Sequence, residues 1–247
     1  MTNLTDRLKA LSGLATKYLD ASIGDQYLAG IWANTLAKGL AWRVVQVIES
    51  GIDEKGATVA ALPWPSWSWA VLPVRSAIHV GYDSPASPHF RRIADGYQPP
   101  TSRDQVEAAI AQGEDVKQIC VTGRLRTLWR HLSRYSDWSV ASRIVGGNER
   151  FSFATIPGQD IHAIHDRTGR VLVYEDGKKE IVGQFDFRRD VIRLQSDQVH
   201  VLALELGASS MLLLEQCDVD VYRRVGVAWD VRQDYFASAQ PRTLIIM

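Results

Sequence analysis

From Ile161 onward the chain is a succession of short apolar stretches separated by turn residues, and this cadence limits the fold more than any other feature. Arg170–Tyr174, Glu180–Phe187, Val191–Leu194, Val199–Leu206, Met211–Cys217, Val219–Trp229 and Thr243–Ile246 are of strand length and rich in β-branched and aromatic residues. Asp176-Gly177, Ser196-Asp197, Gly207 and Asp218 interrupt them. The chain has no internal repeat. A mainly β fold follows, predicted as a single-domain barrel or strongly bent antiparallel sheet.

The amino-terminal part has a different period. Leu4, Leu8, Leu11, Ala15, Tyr18 and Leu19 recur at helical spacing, which predicts a helix over 4–19. A second helix is expected to open at Asp25 as cap, bury Leu28, Ile31, Trp32 and Leu36, and stop near Gly39. Two amino-terminal α-helices, spanning 4–38, would then pack across an end or face of the sheet. Leu40–Ile48, Val74–Tyr82 and Ile119–His131 read as further strands. Residues 83–118 hold Pro85, Pro88, Pro99 and Pro100 and are expected to form a long decorated loop with a short helical pattern at Ser102–Gln112. Apolar strands continue on both sides of it, so residues 1–247 are taken as one domain.

Pro63-Trp64-Pro65-Ser66-Trp67-Ser68-Trp69-Ala70 gathers three of the chain's eight tryptophans. Read as a strand from Ser66, it sets Trp67 and Trp69 on one side with Val71, since successive side chains alternate between faces. Stacked indoles of this kind form either core or the wall of a pocket. Trp67, Trp69 and Trp42 are the expected contacts for a flat aromatic ligand.

Composition removes several classes of function. Lys plus Arg and Asp plus Glu both number 28, so no net field draws the chain to nucleic acid. Arg124, Arg126, Arg130 and Arg134 interleave with Trp129 and Tyr135, but in a neutral chain a solvated strand face accounts for them. The two cysteines, Cys120 and Cys217, fit neither a disulfide framework nor a CxxC metal site. The first residues lack a signal-peptide pattern, and runs such as Val199–Leu206 are too short to cross a bilayer, so a cytoplasmic protein without membrane contact is expected. Phosphate-loop, dinucleotide, nucleophile-elbow and HExxH motifs are all missing. His162, His165 and Asp166 make an incomplete ligand shell, better read as a polar turn than as a metal site. Neither metal nor cofactor is expected.

The last strands carry the titratable candidates. Alternation sets Arg223 on the face of Val219, Val221, Val225, Val227 and Trp229, with Tyr222 and Arg224 pointing the other way. A guanidinium on an apolar face needs a partner, and Glu205 and Glu215 each stand on the apolar face of a neighbouring strand. Asp186 and His200 add two more groups. Such a cluster is either a buried ion pair or a catalytic set of Arg223, Glu205, Asp186 and His200.

Leu11-Ser12-Gly13-Leu14-Ala15, Asp25-Gln26-Tyr27-Leu28-Ala29-Gly30-Ile31-Trp32, Gly39-Leu40-Ala41-Trp42, Pro65-Ser66-Trp67-Ser68-Trp69-Ala70 and Tyr222-Arg223-Arg224-Val225-Gly226-Val227 together resemble, in order and spacing, the region that follows the heterokaryon-incompatibility domain in filamentous-fungal proteins. The resemblance covers nearly the whole chain. It implies a segment without the incompatibility domain, which such proteins carry upstream and which delivers their cell-death signal. It supplies no catalytic residues.

Two functions are therefore expected. One is a cofactor-free fungal enzyme of secondary metabolism, a cyclase or isomerase that adds a hydroxyl to a polarised double bond of an aromatic, polyketide-like molecule by acid–base catalysis. The other is a non-enzymatic ligand-sensing or partner-binding module derived from an incompatibility protein. The first is favoured, because a module without its signalling domain needs another chain to act through.

Overall fold

The computed structural model describes residues 8, 15, 17–18, 25–45, 64–72, 77–79, 85–93, 117–128, 162–165, 170–175, 178–187, 190, 201–229 and 233–247. Strands β1 (Tyr27–Leu28) and β2 (Ile31–Trp32) form a hairpin with Tyr27 opposite Trp32 and Leu28 opposite Ile31. The turn residues Ala29 and Gly30 have φ of 42° and 94°. Two consecutive positive φ values are what a two-residue hairpin turn requires, and they are incompatible with a continuous right-handed helix. A 3-10 turn over Ala33–Thr35 leads into the short helix α1 (Leu36–Leu40).

The second expected helix is thus corrected: a hairpin, a 3-10 turn and five helical residues occupy its place. Leu28, Ile31 and Leu36 are buried as the helical reading required, but a stripe this short serves a hairpin equally well. Of the first expected helix, the described residues are Leu8, Ala15, Lys17 and Tyr18, which have helical backbone, and the rest lies outside the described residues.

The short strands β3 (Arg43–Val44) and β4 (Ile78–His79) pair antiparallel. Between them in the chain, the tryptophan stretch is not a strand. Its backbone bends through Pro65–Ser68 into a 3-10 turn at Trp69–Val71. Trp67 is fully buried and Trp69 partly exposed, so the shared indole face does not form.

A nine-stranded sheet makes up the rest of the described fold. Its members are β5 (Arg91–Ile93), β6 (Ile119–Leu128), β7 (His162–His165), β8 (Arg170–Glu175), β9 (Lys178–Phe185), β10 (Val201–Gly207), β11 (Ser210–Asp218), β12 (Val221–Trp229) and β13 (Pro241–Ile246). The path runs β11-β10-β6-β13-β12-β9-β8-β7, with β5 beside β6 and a further pairing between β11 and β12 that turns the path back on itself. β12 and β13 are parallel, and the other pairs are antiparallel. The expected barrel is also corrected. The path leaves the folded-back part at β12 and continues outward through β9 and β8 to β7, which pairs with β8 alone among the described strands. Expected strands or their parts at 46–48, 74–76, 80–82, 129–131, 191–194 and 199–200 lie outside the described residues, as does most of the 83–118 loop.

Both faces of the carboxy-terminal hairpins are covered. Leu204, Leu206, Leu212 and Leu214 pack with Leu28, Leu40, Trp42, Trp67 and Leu72 in one core. Val201, Ala203, Met211 and Leu213 alternate with them and pack with Phe185, Val225, Tyr235 and Phe236 in another. Trp42 and Trp67 are each fully buried. At the usual area of an indole this contributes at most about 4–6 kcal/mol apiece. Residues 27–44 and 64–72 therefore form a packed layer on the sheet.

Candidate functional site

Stretches far apart in the sequence meet in one hydrogen-bonded knot. Ser68 Oγ donates to the carbonyl of Ala29 at 2.6 Å and accepts from the Ala70 N–H at 3.1 Å, which caps the 3-10 turn. Trp69 Nε1 donates to the carbonyl of Gly30 at 3.0 Å, and Trp42 Nε1 to that of Trp67 at 2.9 Å. Ser66 Oγ donates to the carbonyl of Met247 and accepts from the Arg224 N–H. A Cβ on Gly30 would approach Trp69 Nε1 to 2.7 Å, so this glycine serves both the turn and the indole seated against it. The stretches 25–32, 39–42 and 222–227 are thus each joined directly to 65–70.

Two adjacent arginines have opposite environments. The Arg224 side chain is completely buried. Its Nε and Nη2 grip Asp186 at 2.9 and 3.2 Å, Nη1 and Nη2 donate to the carbonyls of Leu40 and Trp42 at 2.5 Å each, and its guanidinium carbon lies 3.2 Å from the Trp42 ring centroid. Burial pushes the Asp186 carboxyl up from the ordinary range against the pull of Arg224, and burial lowers Arg224 against the pull of Asp186. The Arg223 side chain is 20% exposed and bonds Asp190 and Glu215, both at 2.5 Å. Burial acts to lower it, and Asp190 and Glu215 together overcome that and hold it raised.

An open cleft of about 290 Å³ lies elsewhere, between residues 33–38 and β5. Asp25 Oδ1 accepts from the Gln26 and Asn34 N–H groups at 2.8 and 3.0 Å, and the Gln26 carbonyl accepts from Ala33 N–H, which fixes one wall. The other wall is set by β5, where Arg91 and Arg92 stand opposite Thr122 and Val121 of β6. Gln26 Oε1 accepts from Arg92 Nη1. Lys38, Arg91 and Arg92 give the lining its charge, Asn34 and Thr35 its neutral polar groups, and no carboxylate belongs to it among the described residues.

No protein-family model matches the chain, and no curated protein or solved structure does either. The resemblance to incompatibility proteins rests on the sequence motifs alone.

The expected catalytic residues are not gathered at one point. Arg223 meets Glu215 and Asp190, whereas Asp186 belongs to Arg224. Glu205 stands opposite Met211, and Glu215 opposite Val201. Those positions are four residues apart along β10, roughly 13 Å. Glu205 is buried, and its Oε2 meets no partner among the described residues. His200 lies outside the described residues. Of the expected ligand contacts, Trp42 stacks on Arg224, Trp67 is packed in the core, and Trp69 is tied to Gly30. His162 and His165 lie on β7, and among the described residues no group of three His, Cys, Asp or Glu side chains could hold a metal ion. No helix of the described residues is long and apolar enough to cross a membrane.

Arg224 is the functional-looking residue that sequence reasoning passed over: it points away from Arg223, with Tyr222, as alternation has it, but onto a face that Leu40 and Trp42 cover. Leu213 pairs with Gly226 and Leu214 with Arg224, so Val225 is an extra residue and the faces of β12 shift at that point. The adjacent pair Arg223-Arg224, in a strand with both faces covered, was the available signal. For the cleft it was Phe90-Arg91-Arg92 inside the proline-rich stretch.

Proposed function

We propose that the chain is a non-enzymatic binding module for a small anionic molecule, which it holds in the cleft between residues 33–38 and β5. The observation that carries this reading is the charge of the lining: Arg91 and Arg92 with no carboxylate among its described residues, on a chain without net charge. An anion there gains Coulomb attraction and charge-assisted hydrogen bonds. The volume, near the lower end of small-molecule pockets, favours a compact ligand over a macromolecular segment.

Binding is favoured over the expected cyclisation because Arg223 and Arg224 each already hold carboxylates, and their partners are thereby occupied. An oxyanion-stabilising arginine needs donors free to meet the substrate. The reading is tested by titrating the full chain with a panel of small anions and their neutral isosteres at low and high salt. Binding that prefers the anion, weakens with salt and is lost in Arg91→Glu supports it. Equal binding of neutral isosteres, or binding unaffected by Arg91→Glu, defeats it.

A further inference from the structure

We infer that the ligand of this cleft is a small organic acid, a single carboxylate on a compact apolar body; the inference rests on the binding reading above. The two kinds of surface in the cleft select it. Arg91 is exposed and Arg92 half-buried, and among the described residues neither meets a carboxylate. Gln26 fixes Arg92 through Nη1 with a neutral amide, so the guanidinium is held in place without losing its charge. Arg92 Nε is buried and without a partner, which leaves Nη2 as its available donor. Arg91 supplies the second cation from the adjoining position of β5.

Ala33, Leu36, Ala37, Ala86 and Phe90 complete the lining with apolar surface. These side chains offer no donor. A phosphate pressed against this apolar surface would lose water on that side without replacement, whereas the hydrocarbon body of an organic acid gains by covering it. A charged head toward Arg92 with an apolar tail over Phe90 and Leu36 satisfies both surfaces at once, and the exposed Arg91 adds to the positive field at the cleft. A volume of about 290 Å³ admits a body the size of one substituted aromatic ring.

The test measures affinities of the full chain for benzoate, benzamide and inorganic phosphate by calorimetry, with ligand-observed magnetic resonance to detect weak binding. Benzoate is expected to bind at least about tenfold more tightly than benzamide. Arg92→Gln, which removes a charged hydrogen-bond donor, should weaken benzoate by about tenfold or more. Arg91→Gln, at an exposed position, is the second variant should Arg92→Gln fail to fold, and it should weaken benzoate several-fold. Phosphate bound with benzoate excluded overturns the organic-acid inference while the anion-binding reading stands. Benzamide bound as tightly as benzoate, or no binding of either anion, overturns both.

Discussion

Replacing Arg224 with Met tests whether the amino-terminal layer is held to the sheet by one side chain. The substitution keeps the aliphatic length, removes both contacts to Asp186, frees the Leu40 and Trp42 carbonyls and takes the cation from the Trp42 ring. Breaking a buried pair by deleting one partner costs about 3–5 kcal/mol, because the remaining carboxylate is left without compensation. Burial already pushes the Asp186 carboxyl up, so part of this cost is relieved by protonation, and the lower half of that range is expected near neutral pH. The two orphaned carbonyls add about 1–3 kcal/mol each where water does not reach them. A total loss of at least about 3 kcal/mol is a large part of the stability of an ordinary domain. For a chain of this size it lowers the melting temperature by roughly 6 °C or more. Urea unfolding followed by tryptophan fluorescence measures the loss. Adding Asp186→Leu to Arg224→Met should recover stability relative to the single variant, since no buried charge then remains. A loss below about 1 kcal/mol for Arg224→Met, or a double variant no better than the single, would refute the reasoning.

Ser68→Ala leaves the Ala29 carbonyl and Ala70 N–H without their shared partner, so a loss of about 1–3 kcal/mol is expected in the same urea assay, and an unchanged midpoint would show that water replaces the hydroxyl. Gly183→Ala would set a Cβ 2.6 Å from both the Ala228 Cα and the Val227 carbonyl oxygen; backbone cannot yield as a side-chain tip does, so β9 should separate from β12, seen as faster amide exchange at Val227 and Ala228. Burial raises the Tyr235 phenol against the pull of Arg126. The unfolded chain therefore releases this proton first as pH rises past about 10, so stability is constant at neutral pH and falls through the alkaline range. Tyr235→Phe should reduce that alkaline slope, and an unchanged slope would refute the assignment. Tyr222, raised by burial and by Asp220, contributes in the same sense and remains in that variant.

The carboxy-terminal strands were legible in the sequence because their pairing is local. β10, β11 and β12 follow one another through two-residue turns at 208–209 and 219–220, and both faces are buried, so their runs are apolar almost without break. A strand of this kind is marked by length and β-branched content alone. The amino-terminal segment gave no such unique signal. Leu28, Ile31 and Leu36 fit a helix and a hairpin alike, and the choice was made by what lies above the turn: Trp69 donating to Gly30 and Ser68 donating to Ala29, both 39 residues away. Position on the strand likewise failed to identify the buried arginine. Alternation sets Arg224 on the face opposite Arg223, but that this face lies beneath Leu40 and Trp42 is decided by a segment 182 to 184 residues earlier, which no strand pattern contains. The chain's own residues determined which segments extend and which side chains need partners. Tertiary structure decided which partners they received, because a buried donor takes the acceptor that packing brings within reach, whatever its distance along the chain.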